Sequence, residues 1–197
     1  MMPLQFEPYI LTKNQRGHPM NLTEPRLKVC ALTASWMLAA FSMLAPIRGL
    51  TAEQATIRSV SDGDTVVVQI AQRQERVRLI GIDTPESHPN RRAKKIAERS
   101  HQDLLSIIEQ GKAAAEFTRK LLPKGTSIRL EYDTEKRDLY GRLLAYLWLA
   151  SGEMVNETII SSGYAYPLTV PPNVRYQKRF LESFQSAKRH KRGLWAK

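Results

Sequence analysis

The sequence predicts an α+β fold set behind an apolar N-terminal segment, and three observations predict it. Short β-branched runs such as Thr65 to Ile70 read as strands. Apolar residues recur three and four apart across residues 91 to 122, which reads as helix. A single uncharged stretch, residues 29 to 45, stands apart from both. Of the 197 residues 42% are apolar and 25% charged, enough to bury a core and too ordered in composition for collagen or for disorder throughout. The single cysteine, Cys30, can neither close an internal disulfide nor build a Cys-rich metal site. With 30 Lys and Arg against 19 Asp and Glu, the chain attracts polyanions, so nucleic acid and anionic lipid are the leading partner classes.

The apolar stretch VCALTASWMLAAFSMLA follows Arg26 and Lys28, the pattern of a secretory signal, with Leu50-Thr51-Ala52 as a cleavage site. Its length approaches a bilayer span, so an uncleaved membrane anchor competes with cleavage, and a buried core helix is a third reading. The 28 residues before it are long for a signal, and Met20 would be a more ordinary start. Residues 1–52 are therefore expected to be a signal peptide or anchor and residues 53–197 the working domain. Positive charge ahead of the apolar segment directs that domain outward, to a secreted or periplasmic location or to the outer face of a membrane. Removing residues 1–52 takes away five bases and two acids and leaves 25 against 17, a net of +8, so the basic character belongs to the domain.

Within it, Thr65 to Ile70 and Val77 to Ile82 are strands separated by the polar segment AQRQE, a hairpin. Ile96, Ala97, Leu104, Ile107, Ile108, Ala113, Phe117 and Leu121 mark helix up to Pro123 and Gly125. Ser127 to Tyr132 turns Ile128, Leu130 and Tyr132 to one face, and Leu143 to Leu149 alternates before Ser151-Gly152, giving at least four strands. A short helix, Met154 to Ser162, stops at Gly163, and a last helix from about Asn173 sets Tyr176, Phe180, Phe184, Leu181 and Ala187 on one side with a basic opposite face.

Four scattered histidines form no ligand spacing, and no H-E-x-x-H, G-x-S-x-G or Walker A sequence occurs, which excludes zincins, typical serine hydrolases and P-loop enzymes. Carboxylates fall at strand ends instead: Asp62 and Asp64 in S-D-G-D-T, Asp83 and Glu86 in G-I-D-T-P-E. Brought together they would hold Ca²⁺ or Mg²⁺ and supply a general base; left apart they are ordinary turn residues. Arg78 interrupts an apolar strand and Arg142 opens another, costly positions that suit either a phosphate fork or structural ion pairs. Strict alternation puts Arg78 and Asp83 on opposite faces, so they share a site only if the chain bends, and Gly81 is the place.

The motifs S-D-G-D-T, R-L-I-G-I-D-T-P-E, D-L-Y-G-R-L-L-A-Y, M-V-N-E and R-G-L-W, in that order across residues 58 to 196, resemble the staphylococcal nuclease (thermonuclease) family. The resemblance implies a five-stranded OB-type β-barrel with about three α-helices, hydrolysing DNA and RNA phosphodiesters with Ca²⁺ and leaving 3′-phosphate and 5′-hydroxyl ends. It implies that Asp64, Asp83 and the Thr84 main-chain carbonyl bind Ca²⁺, with Asp62 nearby but not a direct ligand. By the same resemblance Glu86 is the general base toward water, Arg78 and Arg142 grip the scissile phosphate, Tyr140 lies at the nucleotide end and Leu144 contacts the base. The departures are a missing tyrosine pair, where Leu168, Thr169 or Val170 stand, Leu139 in place of a lysine, and a longer segment from Ser87 to Gln110. Its Arg91, Arg92, Lys94, Lys95 and Arg99 either extend the groove or form a solvated helix face.

Two other classes remain open at this point. A catalytically silent OB-fold nucleic-acid-binding module would use the same barrel without needing all five of Asp64, Asp83, Glu86, Arg78 and Arg142. A cationic membrane-surface protein would use the C-terminal helix with Arg175, Lys178, Arg179, Lys188 and Arg189. DNA or RNA is the expected partner; a monomer with no obligate protein partner is expected, with membrane contact only through an uncleaved N-terminal segment.

Overall fold

In a computed structural model the protein is described over residues 52–101 and 103–196. The apolar segment 29–45 and its cleavage or anchoring lie outside the described residues; among those that are described, no helix is long and apolar enough to cross a membrane.

Five strands close a barrel: β1 (Ala52–Asp62), β2 (Thr65–Ile70), β3 (Arg73–Leu79), β5 (Ser127–Glu131) and β6 (Leu143–Leu149). They hydrogen-bond in the order β1-β2-β3-β6-β5 and back to β1, antiparallel except for the β3–β6 pair. Such an antiparallel barrel with one parallel closure is the OB type. The eleven-residue β1 serves both edges. Its first half ladders with β5, from Ala52↔Glu131 to Thr56↔Ser127, and its second half with β2. Irregularities between Ile57 and Ser59 and between Val60 and Asp62 coil the strand around that corner, as bulges do. Inside lie Ile57, Val66, Val68, Val77, Leu79, Ile128, Leu130, Ala145 and Leu147, each at most 1% exposed. Burial of an aliphatic side chain contributes roughly 1.5–3 kcal/mol, so this set is the barrel's main stabilisation.

Two expected strands, Thr65–Ile70 and Leu143–Leu149, stand as predicted. The hairpin before β3 is tighter than expected: the ladder runs out to Ile70↔Arg73, leaving only Ala71 and Gln72 as the turn, with Ala71 at φ 49°. The expected Val77–Ile82 strand breaks at Leu79, and Ile82–Asp83 forms a separate two-residue strand, β4, paired with β7 (Tyr166–Pro167).

Four α-helices are present among the described residues, one more than the resemblance implied: α1 (Arg91–Ser100), α2 (Leu104–Leu121), α3 (Val155–Ser161) and α4 (Gln177–Arg189), with a 3₁₀ turn at Gly193–Trp195. Helix α1 is made from the long basic segment; Asn90 caps it by accepting from the Ala93 N–H at 2.8 Å. Helix α2 buries Ile107, Ile108, Gly111, Ala114, Ala115 and Thr118, whereas Ala113, expected on that face, is exposed. Helix α4 starts at Gln177, not Asn173, because the Asn173 side chain is tied to the Glu135 backbone, accepting from its N–H at 2.8 Å and donating to its carbonyl at 2.9 Å. Phe180 and Ala187 are buried as expected, while Leu181 is exposed. Part of the basic charge expected there is consumed by ion pairs, Arg179 of α4 with Glu157, and Arg175, which precedes the helix, with Glu131 and Asp133.

Candidate active site

The S-D-G-D-T segment is the tight link between β1 and β2, and α2 clamps it: the Thr118 hydroxyl donates to the Gly63 carbonyl at 2.8 Å. Asp64 is thereby held 5% exposed. Its carboxylate accepts from the Thr65 hydroxyl at 3.0 Å and from the Thr84 N–H and hydroxyl at 3.1 and 3.2 Å. A buried charge of that kind needs a counter-charge, and Arg78 provides it, Nη1 lying 2.5 Å from Asp64 Oδ2. At neighbouring Asp62 burial pushes the carboxyl upward, against the lowering effect of its hydrogen bonds to Gly63 and Ser87.

The expected bend is real. After Leu79 the chain turns through Ile80 and Gly81, where φ is +80° and the Phe180 ring packs so closely that a Cβ has no room. The wholly buried Asn156, of the M-V-N-E motif, fixes the bend by donating to the Ile80 carbonyl at 2.8 Å and accepting from the Leu147 N–H at 2.9 Å. Past it, Asp83 returns to the side of Arg78, and Nη2 reaches its Oδ1 at 2.9 Å. One guanidinium thus bridges Asp64 and Asp83.

Glu86 is seated from below by α2, whose Gly111 lies against the Glu86 backbone carbonyl with no space for a side chain. Its carboxylate accepts from the Asn90 amide at 2.7 Å and pairs with Arg92 Nη1 at 2.9 Å. Arg92 Nη2 also meets both oxygens of Asp83 at 2.5 Å. Burial alone would pull the Arg92 guanidinium down, but the hydrogen bond and charge of Asp83, with Glu86 and Asp64, hold it above its ordinary value. Arg142 is aimed by its own loop: Asp138 accepts from the Tyr140 and Arg142 N–H groups at 2.9 Å each and from Arg142 Nε at 2.6 Å. Burial raises the Asp138 carboxyl, and the Arg142 contacts outweigh it, so the net direction is down.

These side chains meet in a polar cavity of about 290 Å³ lined by Asp62, Asp64, Arg78, Glu86, Arg92 and Arg142, among others. An adjoining groove of about 430 Å³ is walled by Leu139, Leu144, Leu168, Val170 and Pro171. The family model described as staphylococcal nuclease homologue matches residues 76–197. The thermonuclease of Staphylococcus hyicus is 36% identical over 138 residues, covering 70% of this chain and 72% of that one. The thermonuclease of Staphylococcus intermedius is 37% identical over 144 residues, 73% and 76% of the two chains. An endonuclease of Bacillus subtilis is 33% identical over 144 residues, 72% and 61%. The chain belongs to the staphylococcal nuclease family. Membership supports a nuclease-type hydrolase acting on nucleic acid.

Against the family pattern, the site brings Asp64, Arg78, Glu86 and Arg142 around one cavity and attaches Asp83 through Arg78. Leu144 lines the adjoining groove. Tyr140 stays apart: it is 85% exposed and lines neither cavity, although the Arg142 guanidinium lies 5.6 Å from its ring centre. Leu168 and Val170 give the groove part of its apolar wall. Sequence reasoning passed over Asp138 and Asn90, and named Arg92 only as one of five bases in the long segment. The i, i+4 spacing of Asp138 and Arg142 could have shown the first.

Among the described residues no group of three or more His, Cys, Asp or Glu gathers where a cation could sit. The oxygen donors nevertheless fit a hard divalent ion. Asp64 and Asp83 already share one cationic group, the Arg78 guanidinium, so the two carboxylates stand within reach of a common positive charge.

Proposed function

We propose that this protein hydrolyses phosphodiester bonds of DNA and RNA in a Ca²⁺-dependent reaction, leaving 3′-phosphate and 5′-hydroxyl ends. The observation that carries this reading is the meeting of Asp64, Arg78, Glu86 and Arg142 around a single polar cavity, with Asp83 bound to Arg78. A binding module has no use for that combination of buried carboxylates and inward-facing arginines.

In this reading Asp64, Asp83 and the Thr84 main-chain carbonyl hold the ion, and the bound Ca²⁺ supplies divalent charge against the phosphoryl oxygens. Arg78 and Arg142 bind the scissile phosphate as planar forks and stay charged throughout; as negative charge gathers on its oxygens, their attraction grows, and that difference between ground and transition state is what accelerates the reaction. Glu86, held by Asn90, accepts a proton from the attacking water. Leu144 contacts the base and Tyr140 the nucleotide's outer end.

The test is incubation of the full chain with DNA and with RNA in Ca²⁺. Both are expected to be cut, with fragments that a polymerase extends only after the 3′-phosphate is removed. Uncut substrate, or ends that extend directly, contradicts the proposal.

We further propose that residues 1–52 direct the chain out of the cytoplasm, which suits an enzyme able to attack its own genome, and that residues 53–197 are the nuclease domain. In β1, Glu53 pairs with Leu130, so cleavage after Ala52 sacrifices a single strand pairing, Ala52↔Glu131. The mature N-terminus is expected at Glu53 by mass spectrometry of protein from its native host. An intact chain in the membrane fraction instead supports the anchor, and an intact chain in the cytosol refutes both.

A further inference from the structure

The polar cavity and the adjoining groove have three lining residues in common, and all three are arginines: Arg78, Arg92 and Arg142. A phosphodiester backbone passing from the groove into the cavity must cross that shared wall. Two of the three are tightly placed. Arg78 is 12% exposed and bridges two carboxylates, and Arg142 is 25% exposed and locked to Asp138. Arg92 differs in origin and in freedom. It projects from the first turn of α1, the helix added by the long basic segment, and its side chain is 48% exposed. Its neighbours Arg91, Lys94, Lys95 and Arg99 all face solvent, so it is the cation through which α1 reaches the site.

We infer that Arg92 binds a second phosphate of the substrate, the one next to the scissile phosphate, and so makes the enzyme selective for polymers over substrates with a single phosphodiester. This rests on the nuclease reading above. The chemistry is that of any guanidinium on a nucleic-acid backbone: a planar fork of donors that stays charged, set where the chain must pass. Its present partners, Asp83 and Glu86, hold it at the wall, and its exposure lets it turn to an arriving phosphate without opening the core. Beyond the shared wall the groove is largely apolar, with Leu168 and Val170 among its lining, and its further arginine, Arg137, is engaged by Glu75 and the Gly141 carbonyl. Arg92 adds a guanidinium where the groove meets the cavity.

The experiment compares the wild-type full chain with Arg92→Gln and Arg92→Lys. Binding of a single-stranded 12-residue DNA is measured in chelator over a range of salt, so that this readout is independent of cleavage. Cleavage in Ca²⁺ is then compared between that strand and a dinucleoside monophosphate, which has no neighbouring phosphate. Loss of one phosphate contact lowers the salt slope by about 0.7 for a single strand. Arg92→Gln is expected to show that drop and to lose about tenfold more in kcat/KM on the strand than on the dinucleotide; Arg92→Lys, which keeps the charge, is expected to keep the slope. An unchanged slope in Arg92→Gln overturns the inference. So does an equal loss on both substrates, which would mean that Arg92 acts only by positioning Glu86. If the wild type binds the strand but cuts nothing, the nuclease reading fails, and the Arg92 assignment stands or falls on the salt slope alone.

Discussion

Glu86→Gln is expected to lower turnover by about a hundredfold to ten-thousandfold, the range over which a positioned general base contributes. The substitution isolates the proton-accepting role. Glutamine has the same shape, its amide oxygen can still accept from Asn90, and the backbone stays seated on Gly111. What disappears is a carboxylate able to take a proton from water, and with it the ion pair to Arg92, which is half exposed on the arginine side and worth at most about 1 kcal/mol of stability. The variant therefore folds, binds DNA with little change in KM and cuts slowly. The split between turnover and KM separates catalysis from packing: turnover falls while KM stays near the wild-type value. A variant that keeps most of the rate would remove Glu86 from the reaction.

Arg78→Lys and Arg142→Lys should each reduce turnover by on the order of tenfold to a thousandfold, because an ammonium point charge cannot reproduce a two-pronged donor. Their environments make the two losses unequal. Arg78 spans Asp64 and Asp83 with separate nitrogens at 2.5 and 2.9 Å, a bridge that a lysine cannot make with one nitrogen. Arg142 uses Nε on Asp138, which leaves its two terminal nitrogens for the substrate. The lysine at 142 keeps its charge on the same loop but loses the aim that Asp138 gives. The larger fall is expected at Arg78. An arginine whose lysine variant cuts within about twofold of wild type is structural.

Two strands were legible in the sequence to the residue, Thr65–Ile70 as a β-branched apolar run and Leu143–Leu149 by alternation before a turn. Strand β1 was not found from pattern, although it is the longest, because its irregularities reset the alternation: Ala55 and Ile57 are buried and then Val60 is partly so, a spacing with no single period. The resemblance alone implied a fifth strand. The site was legible as residue types at strand ends, and even the need for a bend at Gly81 followed from the faces of Arg78 and Asp83. Which carboxylates meet which arginines was not legible, since it depends on a crossing of β3, β4 and the α1 N-terminus. Arg92 shows this most clearly. In sequence it is one cation of five, and only the fold shows it paired with Asp83 and Glu86. Ala113 and Leu181 erred in the opposite direction, assigned inward by periodicity and left exposed, because each lies at the margin of its helix's apolar stripe.

The central claim is that these oxygen donors and arginines act together as a metal-assisted phosphodiesterase. The most direct test is the rate at which the full chain cuts one labelled DNA strand in Ca²⁺ and again in excess chelator. Hard carboxylate and carbonyl oxygens, with no His or Cys cluster among the described residues to substitute for them, predict complete cutting in the first condition and none in the second, restored when Ca²⁺ is returned. Undiminished cutting in chelator would contradict the account.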